Sequence, residues 1–342
     1  PAGYVFPATG LASFQTNWDR VGGNAMWSFR SSPYGSTSHA LANQNAFNTF
    51  YGGKPLFYSS GHHIEFTDVH SMLCHRATRA HNTILVNGMG QRIGTEGYGW
   101  IPRYYASEKI GYVLGKVISP LWLTRGEQSE VHYTPENGWD ENHVKTFRRH
   151  IVNLGKTGLI FIYDELVADE PVNWSYLLHT TENPMTVDKS NHRFVHIQAT
   201  NRGGASDAYL FSTGTLQTDT TSRFFYPAVN WLRADDKGVF KKYPNHWHFT
   251  ATSEKAQVYR FATVINTHAL KYPAKDPEIL SDGRIKVGGW LISVNLKSDG
   301  APSFFIRSTQ EKVNITYKGE ATVINEDGYE TVMRDTVPEL EI

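Results

Sequence analysis

The sequence predicts an all-β protein: a large antiparallel β-sandwich of the super-sandwich type with few short helices. Three observations predict it. Runs rich in β-branched and aromatic residues recur with turn signals between them, and several alternate inward and outward. Long amphipathic helical patterns are nearly absent. Regular strands without intervening helices favour antiparallel sheets packed face to face.

Taken in order, the strand-like runs are 25–30, 55–58, 83–86, 112–117, 146–153, 159–164, 174–179, 193–198, 208–212, 257–265, 284–287, 290–296, 303–306 and 312–317. The first, Ala-Met-Trp-Ser-Phe-Arg, carries two aromatic residues, as strands often do. Residues 83–86 read as a buried strand closed by an Asn87-Gly88 turn. The run from Leu159 is apolar for five residues, and Tyr163-Asp164-Glu165 ends it with acids expected in a solvated turn. Helical spacing is modest and confined to 39–51. Residues 213–245 are polar and irregular, either a long loop or a division between two sub-sheets. The segment after Asp327 is acidic and reads as peripheral. With no Pro/Ser-rich linker, low-complexity stretch or fixed-period repeat, residues 1–342 are read as a single domain long enough to bury a sizeable core.

Lys plus Arg and Asp plus Glu are both 33, and no uninterrupted basic stretch marks a nucleic-acid surface. A polyanionic partner must therefore be met by a local patch. The 18 Tyr and 9 Trp suit a β-rich core and also suit stacking on sugar rings. Cys74 is the single cysteine, so neither an intrachain disulfide nor a cysteine-based zinc knuckle can form. No run approaches the roughly 18 apolar residues of a membrane span. A start at Pro1 reads as processing or as a piece of a longer protein.

Fifteen histidines are present, and His39, His62, His63, His70, His75 and His81 crowd one part of the chain. Imidazole is the commonest general acid or base near neutral pH. His39 follows a turn-rich loop (Pro33, Gly35, Ser36) and precedes Asn43-Gln44-Asn45, whose planar amides can bind sugar oxygens without competing for the proton. It is read either as a proton-transfer group or as a neighbour of a helix cap supplied by Ser38 or an Asn. His81, at the mouth of the 83–86 strand, is read as a metal ligand, a proton carrier or a satisfied structural histidine. His246-x-His248 would place two rings on one strand face, a two-point metal grip without a defined third ligand. Gly88-Met89-Gly90 lacks the glycine spacing and following helix of a phosphate loop.

Arg30, Ser31 to Gly35, Ser38-His39, Gln44-Asn45, Arg76, Thr78 and the run 80–90 resemble the C-terminal β-domain of the heparinase II/III-like polysaccharide lyases. The resemblance is specific over about 25–95 and continues more weakly through Phe147-Arg148-Arg149 and Ile162-Tyr163-Asp164 to His179. It implies a large antiparallel sandwich preceded, in the full-length protein, by an α/α-toroid forming the opposite cleft wall. It implies β-elimination on glycosaminoglycan or alginate, a bacterial periplasmic or secreted location, and an acidic polysaccharide or oligosaccharide as partner. His39 matches the family's catalytic β-domain histidine, and Asn43, Gln44, Asn45 and Arg76 are the candidate substrate-binding residues. The partner tyrosine and the Asn or His that binds the carboxylate belong to the toroid, so the isolated chain is expected to be nearly inactive.

The family pattern also implies zinc, held by a histidine two residues after the first, an acid about eighteen further on and a later histidine. Here the positions are Leu41, Ser59 or a neighbour, and His81. Leucine cannot coordinate a metal, and Asn43 stands where an acid is usual. A family-type zinc site is therefore not expected, unless His62, His63 or His70 supplies a substitute. The rival reading is a non-catalytic carbohydrate-binding or scaffold domain with a degenerate site. A hydrolase working through paired carboxylates is a third, with no such pair standing out.

Overall fold

The structure, a computed structural model, describes residues 2–18, 23–35, 39–62, 70–92, 94, 97–117, 144–222, 232–234, 240–242, 244 and 246–336. The chain opens with a five-stranded antiparallel meander: β1 (Gly3–Phe6), β2 (Leu11–Gln15), β3 (Ala25–Arg30), β4 (Ala46–Tyr51) and β5 (Lys54–Pro55). After two short helical turns, Ser71–His75 and Thr78–Ala80, come β6 (Ile84–Val86), β7 (Gly99–Ala106), β8 (Gly111–Val117), β9 (Val144–Asn153) and β10 (Leu159–Val172). Next are β11 (Trp174–Thr180), β12 (Thr186–Asp188), β13 (Val195–Asn201), β14 (Gly204–Ser212) and β15 (Leu216–Thr221). A small hairpin, β16 (Leu232–Ala234) and β17 (Phe240–Lys242), precedes β18 (Trp247–Ser253) and β19 (Ala256–Ala269). The chain closes with β20 (Glu278–Ile279), β21 (Ile285–Val287), β22 (Trp290–Val294), β23 (Ser303–Ser308), β24 (Val313–Lys318), β25 (Ala321–Glu326) and β26 (Tyr329–Arg334).

These strands form three layers. The central sheet has eight strands in the order β12-β13-β14-β19-β10-β9-β8-β7. One of its faces is covered by the five-stranded meander and by a four-stranded sheet, β15-β18-β11-β6; the other is covered by the seven-stranded meander β20 to β26. Side chains alternate across a strand, and β10 shows what that does here. Ile160 and Ile162 enter one core with Phe29, Phe47, Trp174 and Phe249, while Leu159, Phe161 and Tyr163 enter the other with Ile292, Phe304 and Ile315. Both sets are buried, which explains the unbroken apolar run. Each large side chain so enclosed contributes roughly 1.5–3 kcal/mol.

The all-β expectation and the sandwich stand, and the run 25–30 coincides with β3. Four local expectations are corrected. Residues 46–51 pair with β3 as a strand, so no helix follows His39 there. Of 55–58, Pro55 alone belongs to a strand, although Leu56 and Phe57 join the core. Asp164 is not in a solvated turn: β10 runs on to Val172 and Asp164 is fully buried. Part of 213–245 is regular, since β15 pairs with β18; the residues of that segment left unlisted above lie outside the described ones. The described part of the acidic tail is also engaged. Beyond edge strand β26, Asp335 pairs with Arg103 Nε at 2.7 Å and Arg148 Nη2 at 3.0 Å.

A buried ion pair locks the central sheet to the loops above it. Arg149 and Asp164 face each other on β9 and β10, with Nε to Oδ1 at 2.6 Å and Nη2 to Oδ2 at 2.9 Å, and neither side chain is exposed. The remaining arm, Nη1, donates to the main-chain oxygens of Asn45 (2.8 Å) and Asn82 (2.9 Å). Asn45 carries a left-handed φ of +56°, a conformation asparagine tolerates better than most residues.

Candidate functional site

The connection between β3 and β4 carries His39, and its feet are paired strand positions, Arg30 opposite Ala46. Within it Arg30 acts as a clamp. Its Nη1 donates to Asn43 Oδ1 (2.6 Å) and the Leu41 carbonyl (3.3 Å), and its Nη2 to the Gly35 carbonyl (2.9 Å). One guanidinium thus draws together both sides of the loop that presents His39, using its fork of donors. His39 itself is exposed in a turn. The helix-cap alternative named Ser38, which lies outside the described residues.

The other expected binding residues divide into two groups. Asn43 is half-buried on Arg30. Gln44 and Asn45 are enclosed: the Gln44 amide accepts from Ser32 N–H (2.7 Å) and donates to the Gly97 carbonyl (3.0 Å), and Asn45 Nδ2 donates to the Gly115 and Phe147 carbonyls. Arg76 is buried, and its carbonyl accepts from Ala42 N–H at 2.9 Å. Thr78 Oγ1 donates to the Ala42 carbonyl at 2.7 Å, so the two short helical turns buttress the loop.

Of the three positions that the resemblance assigns to zinc, two meet directly. Ser59 Oγ lies 2.9 Å from His81 Nδ1, and Ser59 N–H donates to Asn48 Oδ1. The third, Leu41, offers no ligand, and its carbonyl accepts from Arg30. Burial above all, then the charges of His75 and Arg30, holds His81 down at about 3. A hydroxyl, a leucine and a nearby guanidinium do not fit the family's zinc arrangement. Among the described residues, no three His, Cys, Asp or Glu side chains form a group that could hold a metal ion.

Beside this pair the fold assembles histidines from distant segments. Ser60 Oγ lies 2.7 Å from His248 Nε2 and 3.3 Å from His246 Nδ1, which also accepts from Gly61 N–H at 3.1 Å. His62 N–H donates to His70 Nε2 at 3.0 Å, and the His62 ring lies 4.6 Å from that of His246. His179 packs 5.1 Å from His248 and sets its Nε2 2.9 Å from the Arg79 carbonyl. His246 and His248 thus share one side of their strand end, as their spacing predicts, yet they meet a serine instead of a third ligand. Of the proposed substitutes, His63 lies outside the described residues. Sequence reading missed His179 as a member, because β11 brings it there through pairing with β18.

This cluster makes stability sensitive to acid. Burial first, then neighbouring imidazoles, holds His246 at about 3, as it does His81. Both folded values lie below the unfolded value near 6.5, so the folded state binds fewer protons. Their contribution is fully present above pH 6.5 and is lost as pH falls from there toward 3. Each should cost roughly 1 kcal/mol by pH 5.5. Urea unfolding at pH 7.5 and 5.5 measures this, and a His246→Gln variant should lose part of the difference.

Residues 2–264 match the family described as heparinase II/III-like, C-terminal, and the chain belongs to that family. Among solved structures, the heparinase III BT4657 gene product superposes with a TM-score of 0.61 at 14% identity, covering 92% of this chain and 42% of that one. The heparan sulfate lyase HepC from Pedobacter heparinus gives 0.57 at 13% identity, covering 98% and 43%. The chain therefore spans less than half the length of these relatives in structure. No curated protein sequence matches it.

Proposed function

We propose that the chain is the β-domain of a polysaccharide lyase that cleaves uronate-containing glycans, either glycosaminoglycan or alginate, by β-elimination, with His39 as a proton-transfer residue. The observation that carries the reading is the exposed His39 imidazole on the Arg30-clamped loop of a heparinase II/III-like family member. In the reaction a base removes the C5 proton next to a neutralised carboxylate. The electron pair forms the C4–C5 double bond, the C4–O4 bond breaks, and O4 takes a proton from an acid. His39 would serve one of these transfers, with Asn43 beside it on the loop. Gln44 and Asn45 would act by shaping that loop, and Arg76 by supporting it.

An upstream α/α-toroid of the same protein would supply the tyrosine and the carboxylate-binding Asn or His, so the chain alone should turn over little. A bacterial periplasmic or secreted location accords with such a substrate. The test is the ultraviolet absorbance of unsaturated uronates released from heparan sulfate or alginate by the intact protein. Absence of product from every uronate-containing glycan would sink the reading. Carbohydrate binding without chemistry is then the reading left, and the Leu41 and Ser59 positions favour it.

Zinc has no role in this reading. Elemental analysis of the purified protein should find no stoichiometric zinc. One tightly held zinc per chain, lost in His81→Ala, would contradict it.

A further inference from the structure

The four-stranded sheet turns an outer face away from the core, and one cross-strand row there carries hydroxyl or amide side chains at three of its four positions. Gln217 of β15, Thr252 of β18, Ser175 of β11 and Leu85 of β6 lie opposite one another in a single cross-strand row. The Ser175 and Thr252 hydroxyls are 2.9 Å apart. Adjacent strands lie about 4.8 Å apart, so the row spans roughly 14 Å. It forms part of the wall of an open cavity of about 830 Å³, which Arg79 and Lys255 also line. That volume is within the usual range for ligand sites.

We propose that this groove is a binding subsite for an acidic oligosaccharide, joined to the His39 loop; the inference rests on the lyase reading of that loop. Hydroxyl and amide side chains both donate and accept, which matches a ligand covered in hydroxyl groups. Among the described residues, Arg79 and Lys255 bring two cationic side chains to the cavity wall, beside the carboxylate of Glu254. A guanidinium suits a carboxylate or sulfate in particular. The link to the candidate site runs through the chain from Arg79 to Thr78 and then through a hydrogen bond. Arg79 belongs to the Thr78–Ala80 turn, whose Thr78 hydroxyl holds the Ala42 carbonyl of the His39 loop. The Thr78–Ala80 turn thus borders the cavity through Arg79 and holds the segment that carries His39 through Thr78.

The experiment measures oligosaccharide affinity by calorimetry in the intact protein carrying His39→Ala, which should slow turnover by a factor on the order of 100. The probes are a heparan sulfate oligosaccharide and a neutral oligosaccharide of the same length. Lys255→Glu, at an exposed position, and Thr252→Tyr, which narrows the groove, should each weaken the acidic probe roughly tenfold, the size of one lost charge-assisted contact. The melting temperature of Lys255→Glu should be unchanged. An affinity within twofold of the parent for both variants, equal binding of the neutral probe, or no binding of the acidic probe by the parent would each overturn the proposal. If wild-type protein forms unsaturated product while both variants bind like the parent, the groove fails and the lyase reading stands. If no product forms but Lys255→Glu still weakens binding, the groove stands as a glycan site and the lyase reading fails.

Discussion

Asp164→Ala should destabilise the protein by about 3–5 kcal/mol, the cost of leaving a buried charge without its partner. Arg149 would be stranded among Phe47, Phe147 and Tyr176, whose rings lie 5.4–5.8 Å from its guanidinium carbon. Aromatic faces offset only part of the lost ion pair. The double variant R149M/D164L separates two contributions. If the ion pair alone mattered, an apolar pair of similar size would restore most of the stability. Here Arg149 also satisfies the Asn45 and Asn82 carbonyls, and each acceptor left unpaired costs roughly 1–3 kcal/mol. The double variant should therefore stay well below wild type in urea unfolding. A loss under about 1 kcal/mol for Asp164→Ala would contradict this account.

His39→Ala in the intact protein should cut formation of unsaturated product by a factor on the order of 100 or more, the usual contribution of a general acid or base. The melting temperature should hardly move, because His39 is exposed and the loop is held by Arg30, Gln44 and Thr78. Wild-type turnover in a variant that melts normally would remove His39 from the chemistry. A joint fall of turnover and stability would mark the residue as structural and favour a binding role.

What could be read beforehand follows from how much each strand's own residues say. Strands β3, β9, β10 and β11 are legible because burial fills them with β-branched and aromatic side chains. Strand β15, Leu-Gln-Thr-Asp-Thr-Thr, is not, since it is the edge of the four-stranded sheet and Leu216 is its one apolar residue against the core. Strand β26 is an exposed edge and conceals itself in the same way. The spacing at 39–51 suggests a helix because local pattern cannot see that Phe47 and Phe29 are partners across a sheet. At the site, His39 and the 59/81 pair follow from resemblance to a family. The gathering of His179, His246 and His248 around Ser60 depends on strand pairing between remote segments, which no local pattern encodes.

The two-sided burial of the central sheet also constrains the order in which the chain can assemble. β9 and β10 form a hairpin, Asn153 opposite Ile160, and can meet early. The other edge of β10 must wait for β19, where Ile160 meets Ile265, a closure that costs far more chain entropy. The C-terminal meander pairs each strand with the next and can form locally, but Ile292, Ile306 and Ile315 find their cover only against the finished central sheet. Between these events β10 has an open edge and an apolar run with no partner on either face. During synthesis or refolding, that strand is where capture by another chain competes most directly with the native pairing.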